Sequence, residues 1–275
     1  MAGLLTIAAH SFVDFNFYIL AILMIMGFMC ARIQEITIKY YPDLIRYFTP
    51  AHKLSRKIFI LVSLVLPFVI LSYSLPVSMA DYYWRIARDQ LEARKINEAE
   101  LTLRKAASWN PENIAVRLDQ YSLYKNMLNI VKSDYPIIER KKLFVNAILT
   151  LDKLEGINPL DGFVFESRGH LLMENADITV DDWEINAIEE FKKALQLHPR
   201  LYRARIGLAR LLEKQGYLNE ATEYMNDGID FYYAVNLTGL EEYFHYAFRL
   251  NLMNGDTVRA REINQIEKDI FSRNK

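Results

Sequence analysis

The strongest constraint on the fold is a spaced pattern of small and large residues that recurs in the second half of the chain. One copy contains Ala187, Phe191, Ala194 and Pro199, and Ala221 begins the next copy 34 residues later. A period of this length is typical of stacked helix pairs, in which small residues let two helices approach and proline ends the second helix. The pattern therefore predicts an all-α solenoid.

The spacing matches the tetratricopeptide unit, and less regular copies surround Ala147 and Ala260. We predict about four such helix pairs over residues 81–275, with residues 175–184 lengthening one turn. The alternative is a non-repetitive helical domain in which the alanines are spaced by chance. The predicted packing positions of the clearest copies are Ala99, Ala106, Pro111, Ala187, Phe191, Ala194, Pro199, Ala209, Gly216 and Ala221.

The first helices of such a stack line a concave groove that binds partners. In the best-matched copy, the groove positions would be Arg203, Ile206, Arg210, Glu213 and Lys214. Their mixed charge suits an extended protein segment or a glycan-bearing partner. It also suits an ordinary solvated helix face, and the sequence leaves both interpretations open.

A second feature is a long apolar run, residues 58–80, which contains no charged residue and is bounded by Lys57 and Asp81. A bilayer core of about 30 Å needs roughly 20 apolar residues in a helix. The run therefore predicts a transmembrane helix, and Pro76 predicts that this helix ends nearby.

Another charge-free run, residues 15–31, predicts a second transmembrane helix. Residues 32–57 between the two runs contain more Lys and Arg than Asp and Glu, which predicts a basic cytoplasmic loop. We expect residues 1–14 to be the end of a truncated membrane helix. These predictions describe a multi-pass protein of the bacterial inner membrane, with residues 81–275 in the periplasm.

Composition excludes several function classes. The net charge of −1 provides no basic field, so we expect no nucleic-acid partner. Cys30 is the single cysteine, which excludes a disulfide within the chain and a cysteine metal site. Phosphate-binding and nucleophile motifs are absent, and we expect neither a metal nor a cofactor. The spacing of His52, His170, His198 and His245 indicates surface or packing roles rather than metal ligation.

Residues 10–16 read His-Ser-Phe-Val-Asp-Phe-Asn, which places His10 and Asp14 four residues apart on one helical face. Ionisable residues at a membrane boundary are often functional. Alternatively, Asp14 caps the following helix and His10 anchors at the lipid headgroups. The sequence alone favours neither interpretation.

This segment, followed by an apolar run with Gly27 near its end, resembles the HSxxDF segment of O-antigen ligase-like and polymerase-like proteins. Those inner-membrane enzymes transfer undecaprenyl-linked glycans, and several continue into a further span and a periplasmic tetratricopeptide tail. The resemblance implies the C-terminal portion of such a glycan transferase. It makes His10 and Asp14 candidate site residues, and it makes the lipid bilayer and an undecaprenyl-linked glycan candidate partners.

The family's upstream spans and its loop of catalytic Arg and His residues have no counterpart in this sequence. The resemblance therefore implies a chain that is incomplete as an enzyme. The alternative function is a non-enzymatic, membrane-anchored scaffold that binds protein partners through its tetratricopeptide repeats.

Overall fold

The computed structural model describes residues 27–33, 35–36, 39–40, 53–131, 136–179, 182–231 and 240–272. Its regular elements are helices, and the described residues contain no strand, so the predicted all-α class is confirmed. The long helices are α1 (Lys53–Glu92), α2 (Ile96–Trp109), α3 (Ile114–Ile130), α4 (Ile137–Ile157), α5 (Gly162–Glu174), α6 (Trp183–Leu197), α7 (Tyr202–Lys214), α8 (Leu218–Gly228), α9 (Leu240–Met253) and α10 (Thr257–Ser272), with a 3₁₀ turn at Ile229–Phe231.

The chain divides into two compact units, residues 1–116 and 117–275. In the first unit, the C-terminal part of α1 packs against α2. Small residues dominate this contact, since Ala87, Ala99 and Ala106 have no exposed surface. Short side chains allow the two helix backbones to approach closely, as the repeat pattern requires.

The second unit consists of helices that pack in successive pairs. Helix α5 pairs with α6, α7 with α8 and α9 with α10, and each pair contacts the next. One core extends through all three pairs, and a smaller one joins α3, α4 and α5. This arrangement is a tetratricopeptide-like solenoid, as the repeat pattern predicts.

Phe191 on α6 is the central core side chain of this unit and has no exposed surface. It lies against two glycines, Gly169 on α5 and Gly207 on α7. A Cβ atom added to Gly169 would lie 2.7 Å from the Phe191 ring, and one added to Gly207 would lie 2.5 Å from it. Both distances are shorter than van der Waals contact, so the ring occupies the space that these glycines leave.

Arg168 is buried and joins three helices through a cluster of charges whose carboxylates are partly exposed. Its guanidinium donates to both carboxylate oxygens of Glu190 on α6 at 3.1 Å. It also donates to Asp152 at 3.0 Å and to Glu155 at 2.8 Å, both on α4. Truncating one partner of a buried ion pair leaves the other charge uncompensated, so this cluster fixes how α4, α5 and α6 pack.

The turns inside three helix pairs share a backbone requirement. Gly216, between α7 and α8, has φ of 85°, and Gly255, between α9 and α10, has φ of 82°. Arg94, between α1 and α2, has φ of 58° in the same place. The left-handed region favours glycine because it has no Cβ atom, which explains why two of these three turns contain glycine.

The structure contradicts the predicted membrane topology. Within the described residues, no helix has both the length and the apolar character needed to cross a membrane. The predicted transmembrane helix 58–80 is therefore wrong, as is the multi-pass inner-membrane location with periplasmic repeats. Most of residues 15–31 lie outside the described part of the chain.

The physical reason is that a charge-free interval does not define a helix. The apolar run predicts a separate element over residues 58–80 that ends near Pro76. In the structure, α1 continues through Pro76 to Glu92, and its last turns pack against α2. The interval is thus the middle of a 40-residue helix with charged residues towards both ends.

We predict that Gly207→Ala lowers the free energy of unfolding by about 1–3 kcal/mol, because the new methyl group overlaps the Phe191 ring. Gly156→Ala is the matched control, since Gly156 is exposed on α4 and nothing lies within 4 Å of an added Cβ. The control should be neutral or stabilise by up to about 1 kcal/mol. Urea denaturation followed by circular dichroism measures both, and equal effects would contradict the packing described here.

Candidate functional site

The first helices of the pairs in the second unit bring charged side chains together on one surface, here called the first-helix face. This face is formed by α5, α7, α9 and the part of α3 from residue 117 onward. Its principal side chains are Lys125, Glu166, His170, Glu174, Arg203, Arg210, Glu213, Glu242, Tyr246 and Arg249. Four of the five predicted groove residues reach the protein surface, whereas Ile206 is 4% exposed and lies in the core.

Between α7 and α9, the charges of the first-helix face pair with one another. Arg210 donates to Glu242 at 2.6 Å, and Arg249 donates to Glu213 at 2.8 Å. The Tyr246 hydroxyl also donates to Glu213, at 2.7 Å, and both guanidinium groups lie within 6 Å of the Tyr246 ring centre. This section fits the interpretation of an ordinary solvated face.

Lys214 pairs with the preceding helix instead. Its ammonium group lies 2.5 Å from Glu184 and 5.0 Å from the centre of the Trp183 ring, both at the start of α6. The hydrogen bond from Lys214 lowers the pKa of the Glu184 carboxyl. Lys214 therefore links α6 to α7.

Between α3, α5 and α7, the pairing is incomplete. The Lys125 ammonium group lies 3.7 Å from Glu174, and Glu166 is 7% exposed. Burial raises the pKa of the Glu166 carboxyl, although Arg203 and Lys125 act in the opposite direction. Arg203 is exposed, and no carboxylate of the described residues lies within salt-bridge distance of it. This section therefore contains a cation that is available to a partner.

His170 lies at the centre of this section, one helical turn after Glu166. Its ring packs edge-on against Phe191, with the ring centres 5.0 Å apart. The Nε2 atom is buried, lies 4.0 Å from Glu166 Oε1 and has no hydrogen-bond partner within the described ranges. Burial, and then the charges of Lys125, Arg203 and Arg210, lower the pKa of His170 to about 4. The imidazole is therefore neutral at neutral pH.

The sequence predicts only a surface or packing role for His170. The signal that was missed is its register, because Glu166 and His170 are four residues apart on a first helix, as are Ile206 and Arg210. The predicted site residues His10 and Asp14 lie outside the described residues. The part of the chain that the structure describes contains no group of three or more His, Cys, Asp or Glu side chains arranged to hold a metal ion.

No family model and no curated protein matches this chain. Among solved structures, the MamA RS-1 ArsTM double mutant has a TM-score of 0.52 and 14% identity, over 72% of this chain and 97% of that one. MamA 41-end from Desulfovibrio magneticus RS-1 has a TM-score of 0.49 and 15% identity, over 70% of this chain and 96% of that one.

YrrB, described as a TPR protein with an unusual peptide-binding site, has a TM-score of 0.44 and 16% identity, over 68% of this chain and 84% of that one. At such identities, a similarity indicates the fold alone, here a tetratricopeptide-type helical repeat. The comparisons give no support to the resemblance to O-antigen ligase-like proteins, nor to lipid or glycan partners.

We predict that His170 makes the fold less stable in acid. Its pKa in the folded protein is about 4, below the ordinary value of 6.5, so the fold disfavours the protonated form. The contribution of neutral His170 to the free energy of unfolding is fully present above pH 6.5. It is lost as the pH falls towards 4, and the loss is about 3 kcal/mol at most.

The measurement is the free energy of unfolding of the wild type and of His170→Gln between pH 7 and pH 4. The difference in the free energy of unfolding between the wild type and His170→Gln should change by about 3 kcal/mol at most between pH 7 and pH 4. His198→Gln is the matched control because His198 is exposed and forms no salt bridge with a described residue. An unchanged difference between the wild type and His170→Gln would show that His170 is not held neutral by the fold.

Proposed function

We propose that this chain is a non-enzymatic scaffold that binds a segment of a partner protein on the first-helix face. The observation that carries the proposal is the section between α3, α5 and α7. There, Arg203 is exposed and has no salt-bridge partner among the described residues, and it lies beside Lys125 and the buried pair Glu166 and His170. An exposed cation of this kind can form ion pairs with a partner without first losing one within the chain.

The repeat architecture supports a protein partner. Stacked pairs present one surface across several helices, which suits an extended segment that contacts each helix in turn. Apolar side chains lie on the same helix as the charges, since Phe163 on α5 is 56% exposed and Met173 is partly exposed. A mixture of apolar and charged groups is typical of protein-binding surfaces.

The glycan-transferase function has less support. Transfer of a lipid-linked glycan needs a nucleophile and base, or a clamp of cations for the diphosphate. The residues proposed for it, His10 and Asp14, lie outside the described part of the chain, and the comparisons do not support the family. The tetratricopeptide-like fold, in contrast, directly supports the scaffold.

The experimental test selects binding peptides on the full chain from a displayed library of random dodecapeptides. Selected peptides should bind the wild type and should lose at least about tenfold in affinity on Arg203→Glu, because the ion pair to the partner becomes a repulsion. Fluorescence anisotropy with the synthetic peptides measures the affinity.

Arg261→Glu is the matched control, since Arg261 is exposed on the second helix α10. Peptides should bind this variant as they bind the wild type. If no peptide is selected, or if the two variants bind equally, the first-helix face is not a binding surface and the proposed function is wrong.

A further inference from the structure

The first-helix face contains two sections that differ in how their charges are satisfied. The α7–α9 section is paired internally through Arg210–Glu242 and Arg249–Glu213. In the α3–α5–α7 section, Arg203 is exposed, and no described carboxylate forms a salt bridge with it. A partner gains most binding free energy where it does not have to break existing ion pairs. The α3–α5–α7 section therefore determines which charge the bound segment carries.

The groups around His170 come from each neighbouring helix. Lys125 acts on it from α3, and Arg203 and Arg210 act on it from α7. On α5 itself, Glu166 lies one turn before it, and Phe191 of α6 covers the ring. Of the three cations, Lys125 is already paired with Glu174 and Arg210 with Glu242. Arg203 is therefore the exposed cation of this section that has no salt bridge to a described residue.

Glu166 depends on these cations for its negative charge. The carboxyl is almost completely buried, and Arg203 and Lys125 are the groups that favour its ionised form. Its Oε1 atom lies 4.0 Å from the buried Nε2 atom of His170, which has no hydrogen-bond partner among the described residues. A small rotation of a protonated Glu166 would let its O–H donate to that nitrogen, which would satisfy both groups.

We infer that the bound segment carries an acidic side chain that docks on Arg203, and that docking is accompanied by uptake of a proton by the Glu166–His170 pair. The inference rests on the proposed function. A partner carboxylate would compete with Glu166 for Arg203, one of the two cations that favour the ionised form of Glu166. Two carboxylates in one site cannot both remain fully ionised at low cost, and the buried one, beside a hydrogen-bond acceptor, is the one that takes the proton.

A basic segment is disfavoured at this position. Its Lys or Arg side chain would meet the exposed Arg203 before it reached the buried Glu166, and Glu174 would have to leave Lys125. Like-charge contacts reduce both the association rate and the affinity. The charge of the section therefore selects an acidic partner.

The test uses the full chain and a synthetic probe, an acetylated and amidated decapeptide of alternating Glu and Ala, with its Gln–Ala counterpart. Isothermal titration calorimetry at pH 7, in two buffers with different ionisation enthalpies, measures the affinity and the number of protons taken up. We expect the Glu peptide to bind more tightly than the Gln peptide and to bind with net proton uptake.

Three variants locate the effect. Glu166→Gln, which is neutral and nearly the same shape, should bind the Glu peptide at least as tightly as the wild type but without proton uptake. Arg203→Gln should lose roughly tenfold or more in affinity. Glu223→Gln is the matched control, an exposed carboxylate on α8 whose removal should change neither quantity.

The outcomes separate the two proposals. If displayed peptides bind in an Arg203-dependent way but the Glu peptide does not, the proposed function stands and the acidic partner is wrong. Binding without proton uptake, or uptake that persists in Glu166→Gln, overturns the role of the Glu166–His170 pair. If no peptide of either kind depends on Arg203, the proposed function itself fails.

Discussion

The seating of the Phe191 ring against Gly169 and Gly207 is the contact on which the rest of the second unit depends. Because neither glycine has a side chain, α5 and α7 can both approach α6 to within contact of one ring. The same ring supports the edge of His170. The packing that forms the solenoid thus also sets the position of the imidazole on the first-helix face, so the core and the candidate site share one element.

Arginine has two distinct uses in this unit, and its local partners distinguish them. Arg205 is buried and donates to the backbone oxygens of Pro199 and Tyr224, so it links the end of α6 to α8. Arg168 similarly satisfies carboxylates on two helices. These buried groups have structural roles because removing them leaves acceptors unpaired. Arg203 is exposed and meets no such acceptor in the part of the chain that the structure describes, which is why a binding role is inferred for it alone.

The sequence predicts the repeats because helix packing imposes a fixed period, and Ala187, Phe191 and Ala194 all lie in the core without exposed surface. It predicts less of the site. Burial and the cations of α3 and α7 lower the pKa of His170 and keep it neutral. These cations are distant from His170 in sequence, so the sequence alone does not reveal their effect. Ile206 was predicted to line the groove from its register but lies in the core. The membrane prediction failed because charge alone does not mark where a helix such as α1 begins or ends.

The charged side chains of the first-helix face differ in how easily a partner can bind them, because those between α7 and α9 are already paired. A single exposed pair such as Arg210–Glu242 contributes only about 0–1 kcal/mol, so a partner can replace it at little cost. Glu213 is different because one carboxylate accepts from both Tyr246 and Arg249, and burial together with that contact raises the pKa of the tyrosine. Displacing Glu213 would leave two donors without an acceptor. A bound segment is therefore expected to be held most firmly at Arg203 and progressively less firmly towards α9.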